Sequence, residues 1–152
     1  MIYLLGIDHQ VQHQKDTQIS MVFAYYLSKK IKDLSIKFIG EEWFHDLLGE
    51  NGVKTTVTQD VAYKHAIEHK FCDPDRNKRA EIGWLSKEDD HLREKFWLEN
   101  IKHKNNENII FVCGSDHLNN FKELLTNYGY GCEILPKRFD VITYLKRENK
   151  DL

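Results

Sequence analysis

NIIFVCGSDH, residues 108 to 117, decides the fold. Ile109 to Cys113 form an unbroken apolar run, the pattern of a strand covered on both faces, and such strands belong to parallel sheets sandwiched between helices. The run closes on Gly114, Asp116 and His117. The same ending stands near the start of the chain, where the apolar IYLLGI, residues 2 to 7, leads into Asp8 and His9, with Gly6 in the matching place. GxDH thus occurs twice, each time directly after a strand. A parallel sheet delivers every strand's C-terminal end to one edge, and ligands bind in the crevice where the chain's connections diverge. Two motifs far apart in sequence are therefore expected to face each other.

Working outward, Ile19, Val22, Phe23, Tyr26, Leu27 and Ile31 recur at helical spacing, with Lys29, Lys30 and Lys32 near the helix end where cations suit its dipole. SIKFIGEE, 35 to 42, is a second strand ending at Glu41 and Glu42, and EWFHDLLGENG then predicts a short helix stopped by Gly49 and Gly52. VKTTVTQDVAYKHAIEH, 53 to 69, predicts a further helix and KFCD, 70 to 73, a short third strand. Asp73 before Pro74 has the form of an N-cap with proline at the first helical position. Ser86 and Asp89 form a capping-box pattern at the head of a helix running to about Lys104, with Leu92, Phe96 and Ile101 inward.

After the second GxDH, Leu118, Phe121, Leu124, Leu125 and Tyr128 share one helix face, which Gly129 ends. CEIL is a last short strand, FDVITYLK a terminal helix, and KRENKDL a solvated charged tail. Strands alternating with helices define an α/β three-layer sandwich, with a mainly parallel central sheet of about five strands and helices on both faces, as a single domain over residues 1–152. Strand one is expected at the centre, strands two and three on one side, four and five on the other.

Composition narrows the function classes. Hydrophobic residues at 41% and charged residues at 30% are ordinary globular usage, which argues against disorder. The net charge is -2 and the cations are scattered among acids, so the electrostatic footprint of a nucleic-acid binder is missing. Cys72, Cys113 and Cys132 are an odd set without CxxC, which suits reduced thiols in a cytoplasmic protein. No apolar stretch approaches a membrane span, and the N-terminus lacks the features of a secretory signal. Neither a phosphate loop nor a GxSxG elbow is present.

His9, His117, Glu41 and Glu42 fall on one rim, with Asp8 and Asp116 beside them. Two imidazoles and several carboxylates can form a general acid and base pair, or bind a divalent metal through Asp8, His9, Glu42, Asp116 and His117. Gly6 and Gly114 would let the backbone come close to a ligand. Asp73 with Arg76 and Arg79 could grip an anionic substrate at the same edge. The bland alternative is that strand-end acids cap helices and histidines fill space. HAIEH, 65 to 69, matches the inverted zincin spacing, but His69 falls where its helix should end and such short patterns arise by chance. HQVQH, 9 to 13, reads as a polar loop or lid, and Trp84, Trp97, Phe96 and Tyr128 as core aromatics.

Two GxxH motifs, one after the first strand and one after a late strand, with a glutamate between them, resemble the TraB/TIKI/GumN proteins and, more loosely, the wider group of erythromycin esterases and ChaN lipoproteins. Glu41 or Glu42 after IKFIG is similar to the family glutamate, Arg93 in REKFWLENI to the arginine of its penultimate helix, and residues 108 to 135 to its final strand, helix and strand. The resemblance implies a hydrolase-like site. His9 and His117 would serve as ligands or as base and acid, Glu41 or Glu42 as ligand or base, and Arg93 as stabiliser of an oxyanion. Within the group, TIKI is assigned metal-dependent peptidase activity while the esterases use a histidine base without metal, so Mn, Co or Zn and no cofactor at all both remain open. The chain is shorter than those catalytic domains. A small-molecule or short peptide substrate, a pocket completed in a homodimer, or a regulatory module that binds a metal or anion without turnover are the expectations.

Overall fold

A computed structural model of the chain describes residues 1 to 135. The terminal helix and charged tail expected after Pro136 lie outside the described residues. The strands are β1 (Ile2–Ile7), β2 (Phe38–Glu41), β3 (Glu68–Phe71), β4 (Ile109–Gly114) and β5 (Cys132–Ile134). The helices are α1 (His9–His13), α2 (Gln18–Asp33), α3 (Asp46–Glu50), α4 (Val57–Lys64), α5 (Arg76–Glu81), α6 (Asp90–Ile101) and α7 (Leu118–Asn127). All strand pairings are parallel and the order is β3-β2-β4-β1-β5. This is the α/β sandwich that the sequence predicts.

The order corrects one expectation. β4, not β1, lies at the centre, between β2 and β1. Burial gives the reason: all six residues of β4 are buried, whereas β3 alternates exposed with half-buried residues and β5 is short and half-buried. A strand apolar on both faces belongs where both faces are covered. β1 and β4 nonetheless run side by side, with Ile7 opposite Gly114. From β1 the chain crosses towards β2, and from β4 it crosses the other way towards β5. The connections therefore diverge at the ends of these two strands, which is where a crevice opens.

Side-chain alternation splits the core into two layers. Ile110 and Val112 of β4 pack with Leu5, Phe23 and Leu27, and with Val61 of α4. Ile109, Phe111 and Cys113 face the other way, onto Trp97, Leu98 and Ile101 of α6 and Phe121 and Leu125 of α7. Right-handed crossovers in opposite directions put their helices on opposite faces, so α2 and α4 share one layer and α6 and α7 the other.

Several local expectations shift. The helix expected over 53 to 69 is only α4, capped by Thr56, whose side chain accepts from Gln59 N. Its early Thr and Val residues form the approach and the cap. His65 caps the C-terminus and Ala66 takes a left-handed φ of 53°, so β3 starts at Glu68, ahead of KFCD. His65 and His69 thus sit on different elements, which removes the inverted zincin reading. HQVQH is helical, with Gln12 wholly buried, rather than a polar loop. Asp75, not Asp73, caps α5, its carboxylate accepting from Lys78 N. Ser86 and Asp89 do form the capping box. Tyr128 is 61% exposed and is not core, and Trp84 and Phe96 are only half-buried, whereas Trp97 is fully buried.

Candidate active site

The two GxDH motifs fit into each other. A Cβ built on Gly6 would stand 2.5 Å from Leu118 Cδ1, and one on Gly114 would stand 3.1 Å from His9 Nε2. Each motif's glycine therefore makes room for a residue at the other motif, so space, and not a turn, is what requires them. That replaces the substrate-binding role expected for Gly6, which is covered by Leu118, while Gly114 lines the cleft.

Between the motifs stands Glu42, 3% exposed. Its Oε2 lies 3.3 Å from His9 Nε2 and 3.5 Å from Arg93 Nη2, and its Oε1 lies 3.4 Å from His117 Nε2. Gly114 N donates to Oε1 at 3.4 Å, while Oε2 has no hydrogen-bond partner among the described residues. Burial pushes the Glu42 carboxyl above its usual range, against the opposing charges of His9, His117 and Arg93.

Both imidazoles are fixed from behind. Gln12 Nε2 faces two acceptors, Glu41 Oε1 at 2.9 Å and the Glu42 carbonyl at 3.3 Å, so its Oε1 must be the atom that accepts from His9 Nδ1 at 2.7 Å. His117 Nδ1 donates to Glu94 Oε1 at 3.0 Å. With each Nδ1 committed as a donor, a neutral ring would present a bare Nε2 lone pair to Glu42. Like lone pairs at this distance repel, so the cluster calls for a proton or a cation among its three side chains. For His117 burial works against the charge, but the Glu94 hydrogen bond and the charge of Glu42 outweigh it and raise the imidazole above its ordinary value.

Asp73 anchors the cationic side. It accepts from Arg93 Nε and Nη2 at 3.0 Å each, from Arg79 Nη2 at 2.6 Å and from Trp97 Nε1 at 2.9 Å. Burial opposes the Arg93 charge, yet Asp73, Glu42 and Asp90 keep its pKa raised. Arg79 lies over Trp84 and Phe44, at 5.0 and 5.2 Å from their ring centres. Asp73 is thus a holder of arginines, not an end-of-strand cap.

The consecutive carboxylates separate cleanly. Glu41, wholly buried, accepts from Gln12, from Thr56 Oγ1 at 2.8 Å and from His69 Nε2 at 2.7 Å, all on the α1 and α4 side of the sheet. It supports the wall of the site, and Glu42 faces the imidazoles. Asp8 and Asp116 stand exposed at the mouth of a cleft of about 830 Å³ that His9, Arg79, Arg93 and His117 also line. Arg76 is not part of the site: it pairs with Glu50 in solvent.

Sequence reasoning missed Gln12, His69 and Glu94. For Glu94 a signal existed: Asp90, Arg93, Glu94 and Trp97 share one face of α6 at spacings of three and four, and that face meets the sheet edge. Gln12 and His69 are recruited by tertiary contacts across more than twenty-five residues of chain, which periodicity does not encode.

The donor types around Glu42 fit a divalent ion, since metal-ligating histidines also anchor their second ring nitrogen on a carboxylate or carbonyl oxygen. His9, His117 and Glu42 would hold it. Among the described residues, however, no group of three or more His, Cys, Asp or Glu is arranged around a common ion position. The thiols are remote from nucleophilic chemistry: burial raises Cys72 to about 12 and Cys132 to about 11, and lifts Cys113 well above its ordinary value. No family model, curated protein or solved structure gives a significant match to the chain.

Proposed function

We propose that this protein is a hydrolase acting on small polar substrates, with His9 as general base and His117 as general acid on either side of Glu42. The observation that carries the reading is the convergence of two Nε2 atoms, 3.3 and 3.4 Å away, on one buried carboxylate. Their environments assign the roles. His9, with a side chain 54% exposed and a neutral amide behind it, is open to water; His117, 11% exposed, is flanked by Glu94, Glu42 and Asp90, whose charges favour its protonated form. In the reaction His9 Nε2 takes a proton from water as its oxygen attacks an acyl or phosphoryl centre. His117 Nε2–H gives a proton to the departing oxygen or nitrogen, and Arg93 stabilises the oxyanion formed.

The resemblance to TraB/TIKI/GumN proteins supports the same reading, through both GxxH motifs, Glu42 and Arg93. A divalent ion, where bound by His9, Glu42 and His117, would polarise the substrate and lower the pKa of water. No helix among the described residues is long and apolar enough to cross a membrane; three free cysteines suit a reducing compartment such as the cytoplasm.

The test is a panel of ester, amide and phosphoester substrates, run with and without Mn²⁺, Co²⁺ or Zn²⁺. An activity that disappears in His9→Ala, His117→Ala and Glu42→Gln alike is expected. Metal or anion binding that these variants abolish, with no turnover on any substrate, would instead identify a non-catalytic binding module. Turnover indifferent to all three substitutions would sink both readings.

A further inference from the structure

A second recess, about 280 Å³, opens beside Glu42 and shares His9, Arg79 and Arg93 with the main cleft. His13, Trp43, Leu47 and Asn51 complete its wall. The arrangement holds an unusual pair. Trp43 is 3% exposed, yet its indole Nε1–H has no hydrogen-bond partner among the described residues, and neither has the buried Nδ1 of His13. Their rings lie 5.8 Å apart. Trp84 and Trp97, by contrast, donate to Asp90 and Asp73. A buried N–H without an acceptor has lost its hydration with nothing in return, so such groups are seldom left unpaired.

Charge points to what would satisfy them. Arg79, paired with Asp73, and Arg93, paired with Asp73, Asp90 and Glu42, both line the recess. Two unpaired ring nitrogens, one of them a fixed donor, in a recess lined by two guanidinium groups form an acceptor-seeking site.

Resting on the hydrolase reading, we propose that this recess is the recognition arm of the substrate pocket and binds a carboxylate or phosphate oxygen, so that the natural substrate carries an anionic group beside its scissile bond. The Trp43 Nε1–H would donate to one oxygen, with Arg79 and Arg93 supplying the charge. His9, Arg79 and Arg93 line both recesses, which puts this arm beside the reacting centre.

The experiment reads binding, not turnover. The three tryptophan indole N–H signals of the ¹⁵N-labelled full chain are followed while acetate, and separately inorganic phosphate, is added at constant ionic strength set with sodium chloride. Trp43→Phe, which removes the N–H and keeps a ring, assigns its signal by loss. The Trp43 signal is expected to move downfield and saturate with at least one of the two anions, the responsive one identifying the group, and Arg79→Gln is expected to weaken that binding about tenfold. A Trp43 signal that neither anion moves beyond the sodium chloride control would overturn the proposal, as would binding undiminished in Arg79→Gln. The wild-type titration decides even where Trp43→Phe fails to fold. Failure here would remove the anionic arm and leave the His9 and His117 chemistry to its own assay; failure of that assay with saturable binding intact would leave the anion site standing without hydrolysis.

Discussion

The two GxDH endings share one four-residue pattern and end adjacent parallel strands, yet their histidines stand in different surroundings. At the β1 end the imidazole is half in solvent and backed by an amide; at the β4 end it is buried against Trp97, with ring centres 4.9 Å apart, and backed by a carboxylate. An amide acceptor orients a ring without stabilising its charge, whereas a carboxylate does both. The difference teaches that a repeated motif need not mean a repeated role. The sheet brings two like groups together, and the residues behind them give the two rings different surroundings, a hydrogen-bonded carboxylate at His117 and an amide at His9.

The sharpest way to break this comparison is to remove the group between its halves. Glu42→Gln keeps the shape and abolishes the charge, and a fall in kcat/KM of about 10³ is expected. His9→Ala and His117→Ala should each lower kcat/KM by about 10²–10⁴. Only the second should also cost stability, because it empties a buried site against Trp97 and strands Glu94, itself buried, without its donor. Denaturant midpoints that fall equally for the two variants would erase the distinction between the endings.

Exchanging the backing groups tests the distinction more finely. Glu94→Gln takes away the hydrogen-bonded carboxylate that helps to raise His117, so the limb of the pH–rate profile that reports the acid should move to lower pH, with activity reduced about tenfold. Gln12→Ala frees His9 Nδ1 and should also cost about tenfold, through loss of the ring's tautomer and orientation. Its effect belongs on kcat without movement of the His117 limb. Equal movement of that limb in both variants would show the two halves to be a single titrating unit.

How far the sequence foretold this depends on the range of the forces involved. Burial on both faces is written residue by residue, so β1, β4 and their GxDH endings were legible, and with them the parallel sandwich and the meeting of His9 with His117. The exchange of β1 and β4 in the sheet order was not, because both strands read as apolar and only their packing between helices ranks them. Glu41 and Glu42 are indistinguishable as letters. Alternation about Ile39 turns Glu41 towards Thr56 and His69, and the strand's end at Glu41 frees Glu42 to turn back across the crevice. Arg76 and Arg79 likewise differ by less than a helical turn. One reaches Glu50 in solvent and the other Asp73 beneath Trp84.

The smallest expected effect sharpens the same comparison through stability. Burial alone would lower the His117 pKa, but Glu94 and Glu42 raise it above the ordinary 6.5, so the folded state holds this proton more tightly than the unfolded chain does. Its contribution is fully present below about 6.5 and is lost as pH rises through the raised folded value. Glu42 has the same sign in a lower window, opening at its ordinary 4.5, because burial makes the folded state retain that proton as well. Melting temperature should therefore decline with rising pH above about 6.5, by roughly 2–4 °C for each kcal/mol lost in a chain of this size. His117→Gln should flatten the decline above about pH 6.5. Calorimetric scans across that range decide the matter. A slope unchanged in His117→Gln would mean that Glu94 and Glu42 do not hold the proton on this ring, and the division of acid from base between the two endings would lose its physical cause.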